Sequence, residues 1–293
     1  MTAVVRESPS APVGERPTRH GPIAQLLIAW SPLSVILVAY VVAQWISDPL
    51  GTGDGAATNR VGAPLHVAAP ARGDEALFGT VPTVWLQARL GTGTAHWYDA
   101  VGAVVYLTHF VAIPLLTAVA WFRWRERFRG WIVAVLTMTL VGTVTYVAWP
   151  AAPPWLASEH GVIGDVDRTS SLGWEWLHLD VVARLTEGGQ GDSNPVAAMP
   201  SLHAAAALLV ALFAWPSVSR WARAALLAYA LAMAAVLVQT GEHYVVDVLA
   251  GWAVAVAGVV AGAFATSALA SRSSPPAAPP VVPSSPSTER GVP

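Results

Sequence analysis

The chain has 293 residues, no cysteine, 54% apolar positions, only 12% charged ones and a net charge of −2. Soluble globular domains carry about 25% charged residues, so the composition excludes a water-soluble enzyme. The lack of cysteine likewise excludes a disulfide-stapled domain and a cysteine-ligated zinc or iron–sulfur site. All 16 basic residues are arginine, which removes Schiff-base and Walker-type lysine chemistry and points to GC-rich coding and a bacterial source. Nothing in this charge balance calls for a nucleic-acid partner.

Residues 1–20 contain Pro, Ser and Arg without an apolar h-region, and the apolar run after them is too long for a cleaved signal peptide. They read as a disordered cytoplasmic tail ahead of a retained span. A crossing needs about 20 mostly apolar residues, and six stretches qualify: Pro22 to Ile46, Val101 to Phe122, Trp131 to Ala148, Leu202 to Trp215 with a few residues beyond, Trp221 to Thr240, and Tyr244 to Ala270. The fourth is the shortest. In the first long loop, Val81 to Leu90 lies between Gly79 and Gly91 with Pro82 at its start and Trp85 within it. It predicts a short helix on the membrane surface, after which Asp99 can cap the second span.

The expected fold is thus all-α, an integral membrane bundle of six transmembrane helices with one interfacial helix. A single membrane domain occupies residues 21–270, with no internal repeat. From residue 271 a Ser/Pro-rich tail follows, with seven prolines between Ser273 and Pro293, a composition that cannot build a core.

Alternating spans put Arg6, Arg16, Arg19, Arg123, Arg125, Arg127, Arg129, Arg220, Arg223, Arg272 and Arg290 on one side, and Arg60, Arg72, Arg89, Arg168 and Arg184 on the other. Arginine is retained in short cytoplasmic loops. Both termini are therefore expected in the cytoplasm and residues 47–100 and 149–200 outside, in a bacterial plasma membrane.

Ionisable groups within or at the ends of spans are costly and usually functional. His109 lies mid-span and reads as interhelical glue. His203 begins the fourth span and His243 the sixth, so two crossings bring both to the outer face. Asp247, at i+4 from His243, shares its helix face and can hold one imidazole nitrogen protonated while the other faces outward. That is the base-and-orienter arrangement of an activated nucleophile. Pro200 and Ser201 stand where a helix begins, an end whose free N–H groups favour phosphate. Together these groups fit phosphoryl transfer through a phosphohistidine. A facial-triad metal site, a proton relay and plain helix glue use similar residues and stay open on this evidence.

At these residues the sequence resembles the type 2 phosphatidic acid phosphatase superfamily. Pro200-Ser201-Leu202-His203 is similar to its P-S-G-H motif, and His243-Tyr244-Val245-Val246-Asp247 to its H-x-x-x-D motif. The resemblance covers roughly Tyr98 to Ala270. It implies His243 as nucleophile, Asp247 as its orienter and His203 as the acid that protonates the leaving oxygen, with no metal or other cofactor. Three departures stand out: the family's K-x6-R-P motif is absent, its upstream Ser-Arg pair falls on Val236 and Leu237, and Leu202 replaces glycine. They resemble the inositol phosphorylceramide synthase branch, whose proline-rich segment is similar to Tyr146 through Trp155.

A phosphomonoester carries nearly two charges and a diester one, so an arginine-poor site suits the diester. The expected activity is headgroup transfer from a membrane phospholipid to an alcohol acceptor, or to water. Pro200, Ser201, Tyr146 and Trp155 are candidate substrate contacts, and Arg168 and Arg184 are the nearby cations that could replace the missing clamp. Hydrolysis of a lipid phosphate monoester or diphosphate is one alternative, and a non-catalytic lipid-binding transporter or scaffold is the other. The acceptor, the donor and the oligomeric state are not readable from the sequence.

Overall fold

The computed structural model describes residues 20–47, 57–191 and 193–273. The two tails expected to be disordered lie outside these residues, except for His20 and for residues 271–273, which continue the last helix. The first apolar run forms two helices, α1 (Pro22–Trp30) and α2 (Leu33–Ser47). Pro32 lacks the N–H that would continue the ladder, and the Ser31 N–H closes α1 on the carbonyls of Leu27 and Ile28.

The first long loop contains α3 (Ala68–Phe78), which the sequence reading missed, and α4 (Pro82–Leu90), the expected short helix. Helix α4 has Val81 as its extended N-cap and closes at Gly91. Its Gln87 points inward, where the side-chain nitrogen donates to the carbonyls of Asp167 and Gln239 and the oxygen accepts the Asp167 N–H. Trp85 stays exposed. Helix α5 (Trp97–Arg123) begins as expected with Asp99, which acts from the third helical position by accepting the His96 N–H at 2.8 Å.

A short turn containing Arg125 and Arg127, flanked by Arg123 and Arg129, leads into α6 (Phe128–Ala148). The second long loop carries three short helices, α7 (Pro154–Glu159), α8 (Leu172–Trp176) and α9 (Asp180–Gly191), and the chain then enters α10 (Leu202–Ala214), α11 (Arg220–Gln239) and α12 (Val245–Ser273). Among the described residues the structure has no β-strand, only three isolated bridges.

Among the described residues, five helical segments are long and apolar enough to cross a bilayer: Pro22–Ser47, Trp97–Arg123, Arg125–Ala148, Arg220–Gln239 and Val245–Ser267. The fourth expected span differs. It is an apolar segment from Leu202 to Ser217, about 24 Å long at 1.5 Å per residue, against roughly 30 Å of hydrocarbon. Its position explains its length. Helix α10 packs against α5, α6, α11 and α12, and nine of its 13 residues are buried, so it is the axis around which longer helices stand.

The two ends of the bundle differ in chemistry. The Arg127 side chain donates to the Phe213 carbonyl and the Ser217 hydroxyl, and Arg223 Nε donates to the Trp215 carbonyl. The arginine-rich end is therefore the end where α10 finishes. The opposite end, where α10 and α12 begin, carries the histidines and the two long loops.

Helices α6 and α12 meet along a seam of small residues, Gly130 and Ala134 facing Ala255, Gly258 and Gly262. A Cβ at Gly258 would lie 2.7 Å from the Ala134 carbonyl oxygen, and one at Gly262 would overlap the Gly130 carbonyl. Helices in lipid associate mainly by such close backbone approach. Gly258→Leu should therefore cost about 2 kcal/mol through overpacking and lower the thermal midpoint in detergent by roughly 5 °C. Val256→Leu, at an exposed position of the same helix, should leave it unchanged, and equal midpoints for the two variants would contradict the seam.

Candidate active site

The chain reverses between α11 and α12 through Thr240 and Gly241. Gly241 has φ 77°, a left-handed conformation that costs glycine little, and a Cβ there would sit 2.7 Å from the Asp167 carbonyl. The N–H groups of Glu242 and His243 both donate to the Leu237 carbonyl at 3.1 Å. This turn delivers His243, 6% exposed, to the start of α12 with Asp247, which is fully buried, one turn later.

His243 Nδ1 lies 2.9 Å from the Ala198 carbonyl oxygen and 3.6 Å from Asp247 Oδ2. The carbonyl can only accept, so Nδ1 carries the proton and the lone pair lies on Nε2. Asp247 is where the i, i+4 spacing puts it, yet the nearer acceptor is a backbone carbonyl from another segment. The same Oδ2 accepts the Tyr244 N–H at 2.9 Å, and the Asp247 carbonyl accepts the Ser201 N–H at 2.9 Å. Asp247 therefore caps α12 and ties it to α10 while facing the imidazole.

The Ala198 carbonyl is held by the proline-rich segment. The Ala151 N–H donates to the Val196 carbonyl at 2.9 Å and the Ala198 N–H to the Ala151 carbonyl at 3.2 Å. On the other side of this strip, the His66 N–H donates to Pro150 at 2.9 Å and the Ala152 N–H to His66 at 3.0 Å, with the His66 ring stacked on Trp149 at 4.3 Å. Tyr146 is buried and its hydroxyl donates to the Pro200 carbonyl at 2.8 Å, a contact that braces the entry to α10. Trp155 joins the same frame, its N–H donating to the Gly241 carbonyl at 3.2 Å.

Ser201 is the N-cap of α10 and its hydroxyl accepts the Ala204 N–H at 3.2 Å. Its carbonyl presses on Gly251 of α12 so closely that any Cβ there would overlap it. His203 lies in the first turn of α10, where N–H groups have no intrahelical acceptor. Leu202, the departure from glycine, fits the notch above Gly142 of α6, where a Cβ would lie 2.6 Å from Leu202 Cδ2. The larger side chain is thus accommodated by a glycine on a neighbouring helix.

The His203 ring lies between Tyr106, stacked at 5.0 Å, and His109 at 4.1 Å, with His243 5.7 Å away. His109 is therefore a third member of the cluster, beyond the helix glue that its sequence suggests. Its buried Nδ1 has no hydrogen-bond partner among the described residues.

The two candidate cations part company. Arg168 grips Glu242, the residue before His243, through Nε to Oε1 at 2.9 Å and a terminal nitrogen to Oε2 at 3.0 Å. Its other terminal nitrogen donates to the Gln190 carbonyl at 3.3 Å, and its guanidinium lies 5.1 Å from the centre of the Trp155 ring. Ser170 and Gln190 also donate to Glu242 Oε1. Arg184 is exposed on α9 and pairs with no acidic group among the described residues.

Asp74 on α3 is a further residue that sequence reasoning missed. Fully buried, it accepts the Val245 N–H at 3.0 Å and the Val246 N–H at 2.9 Å. Burial pushes its carboxyl above its ordinary pKa, and these two donors partly offset that rise. With Asp247 on Tyr244, two carboxylates occupy the amino end of α12. The free helix end that faces the histidines is that of α10.

The matches to known proteins follow this geometry. Residues 74–261, well over half of the chain, match the PAP2 superfamily, and the chain belongs to that family. It is also 29% identical over 176 residues to the phosphoinositol dihydroceramide synthase of Bacteroides thetaiotaomicron. The match covers 56% of this chain and 55% of that relative, so it spans little more than half the relative's length. No solved structure matches the chain. Family membership and the apolar helices make this an integral membrane protein of the PAP2 superfamily.

Asp74→Ala should leave the Val245 and Val246 N–H groups without their acceptor, at a cost of about 1–3 kcal/mol. Hydrogen exchange should then speed up by tenfold or more at the start of α12 while the α6–α12 seam keeps its protection. Unchanged exchange at residues 245 and 246 would remove Asp74 from this role.

Proposed function

We propose that this chain is a six-span phosphotransferase with one membrane domain over residues 21–270. It moves the phospho-headgroup of a membrane phospholipid to an alcohol acceptor, and to water when no alcohol is bound. Both termini lie in the cytoplasm and the site faces outward; the sorting of arginine supports this orientation. Helix α10 counts as the fourth of the six spans, its short length offset by the ring of helices around it, and α4 lies at the membrane surface.

The observation that carries the chemistry is the imidazole of His243, with Nδ1 directed at two acceptors and Nε2 left with its lone pair near His203. In the first step Nε2 forms a bond to phosphorus. The bond to the leaving oxygen breaks, and protonated His203 gives that oxygen its proton. In the second step His203, now neutral, takes the proton of the acceptor hydroxyl. The acceptor oxygen bonds to phosphorus, and the N–P bond breaks with its electrons returning to Nε2. Atoms, protons and charges are restored after one cycle.

Asp247 stabilises the imidazolium that forms during attack. The His203 N–H and the amino end of α10 behind the Ser201 cap receive the negative charge that develops on the phosphoryl oxygens, with Pro200 and the Tyr146 hydroxyl setting the angle of that end. Arg168, beside Trp155 and bonded to Glu242 next to His243, serves as the phosphate clamp; Arg184 has no part. No step needs a metal. The name of the Bacteroides relative supports a lipid headgroup transfer over simple hydrolysis.

His243→Ala should lower kcat on a labelled lipid-phosphate panel by at least about 10³-fold, and EDTA should leave wild-type activity unchanged. Activity lost to the chelator and restored by added zinc or iron would overturn the metal-free cycle. His203→Ala should be severely impaired on natural lipids but partly rescued with a p-nitrophenyl leaving group, which departs without a proton. Equal losses on both substrates would remove the acid assignment.

A further inference from the structure

Arg168, bonded to the residue that precedes His243, is already paired. Glu242 takes two of its nitrogens side by side at 2.9 and 3.0 Å, a bidentate arrangement that fixes a guanidinium firmly. The Glu242 carboxylate is itself fixed, since Ser170 and Gln190 donate to the same oxygen and its side chain is 7% exposed. The Arg168 side chain stays 23% exposed, with the Trp155 ring beside the guanidinium. Glu242 also directly precedes His243, and the Arg168 and Glu242 charges both act on Tyr106, whose ring stacks on that of His203, so a phosphoryl group on the imidazole would meet a cation whose charge a neighbouring carboxylate cancels.

We propose that Glu242 is a specificity-determining residue. It positions Arg168 to donate to a phosphoryl oxygen while neutralising the field of that cation, so the site favours monoanionic phosphodiesters over dianionic monoesters. The inference rests on the reading of His243 as the phosphoryl acceptor. A diester presents one negative charge and a monoester above pH 7 nearly two. The second charge meets no uncompensated cation, only the Glu242 carboxylate. Glu242 acts through Arg168 and through its own charge, not by contact with the reacting atoms, and sterics have no role in the discrimination.

The test compares p-nitrophenyl phosphate with methyl p-nitrophenyl phosphate at pH 8, using the full-length protein in micelles. The leaving group is the same and the charge differs by about one unit. Glu242→Gln, which keeps an oxygen acceptor for Arg168 but removes the charge, should raise the monoester-to-diester ratio of kcat/KM about tenfold over wild type. Arg168→Gln leaves Glu242 uncompensated and should lower that ratio by a similar factor, as well as slowing both reactions. A disruption of structure alone would not move the two variants in opposite directions.

A ratio that is unchanged in both variants, or that shifts the same way in both, overturns the proposal. If Glu242→Gln fails to hold its fold by thermal melting, Arg168→Gln decides alone, and an unchanged ratio there is equally fatal. Release of p-nitrophenolate that is insensitive to His243→Ala would sink the phosphohistidine reading, and this inference would fall with it. Retention of His243 dependence without the charge effect would remove Glu242 only.

Discussion

The hydrogen bond from His243 Nδ1 to the Ala198 carbonyl, 2.9 Å long, is the constraint on which the rest of the site depends, because a neutral imidazole has one nitrogen to give away and this contact selects which. A backbone carbonyl cannot change its protonation state, and it leaves Nε2 with the lone pair whatever the state of nearby carboxylates. The frame behind Ala198 follows from the same need. Three short backbone segments, around His66, Ala151 and Val196 to Ala198, bridge one another, and the prolines on either side of Ala151 hold the strip extended. A side chain in place of this carbonyl would carry rotamer freedom that the strip does not have.

Helix α10 connects this frame to the bundle. Its first residues face the histidines and its last ones meet the arginine-rich turn, so a rigid rod runs from the candidate site to the opposite end. A central helix buried on most sides need not match the bilayer thickness itself, since α5, α6, α11 and α12 shield it. Small residues make that packing possible: Ala204 to Ala207 on α10, Gly251 against Ser201, and Gly258 and Gly262 against α6. The Leu202 and Gly142 pair extends the same logic to a motif position, since the bulk added on one helix is matched by bulk missing on another.

The meeting of His203, His243 and Asp247 was legible in the sequence because it rests on local rules, the i, i+4 face of one helix and the parity of crossings that brings two helix starts to one end. The short helix at Val81 to Leu90 and the role of Asp99 were legible for similar reasons, through Pro82, Gly91 and a three-residue offset. What escaped were contacts between distant segments. Asp74 reaches Val245 across 171 residues and Arg168 reaches Glu242 across 74, and no periodicity marks either residue. His109 offered only a lone polar group in an apolar helix, and its partner became visible once α5 and α10 were packed. Arg168 and Arg184 looked alike as loop arginines, yet the first is drawn in by a buried carboxylate and the second remains outside. The fourth stretch is apolar enough to read as a span, but its hydropathy gave no sign that it would be buried among four other helices.

Attack by His243 through Nε2, as proposed, would leave a phosphoryl group on that nitrogen. This is tested most directly by quenching the enzyme in alkali during turnover of a lipid phosphate labelled at phosphorus, then mapping the modified peptide and the ring position of the phosphate. The account predicts phosphate on Nε2 of His243, acid-labile and discharged by added alcohol. Phosphate on Nδ1, on another residue, or on no residue during demonstrable turnover would contradict it.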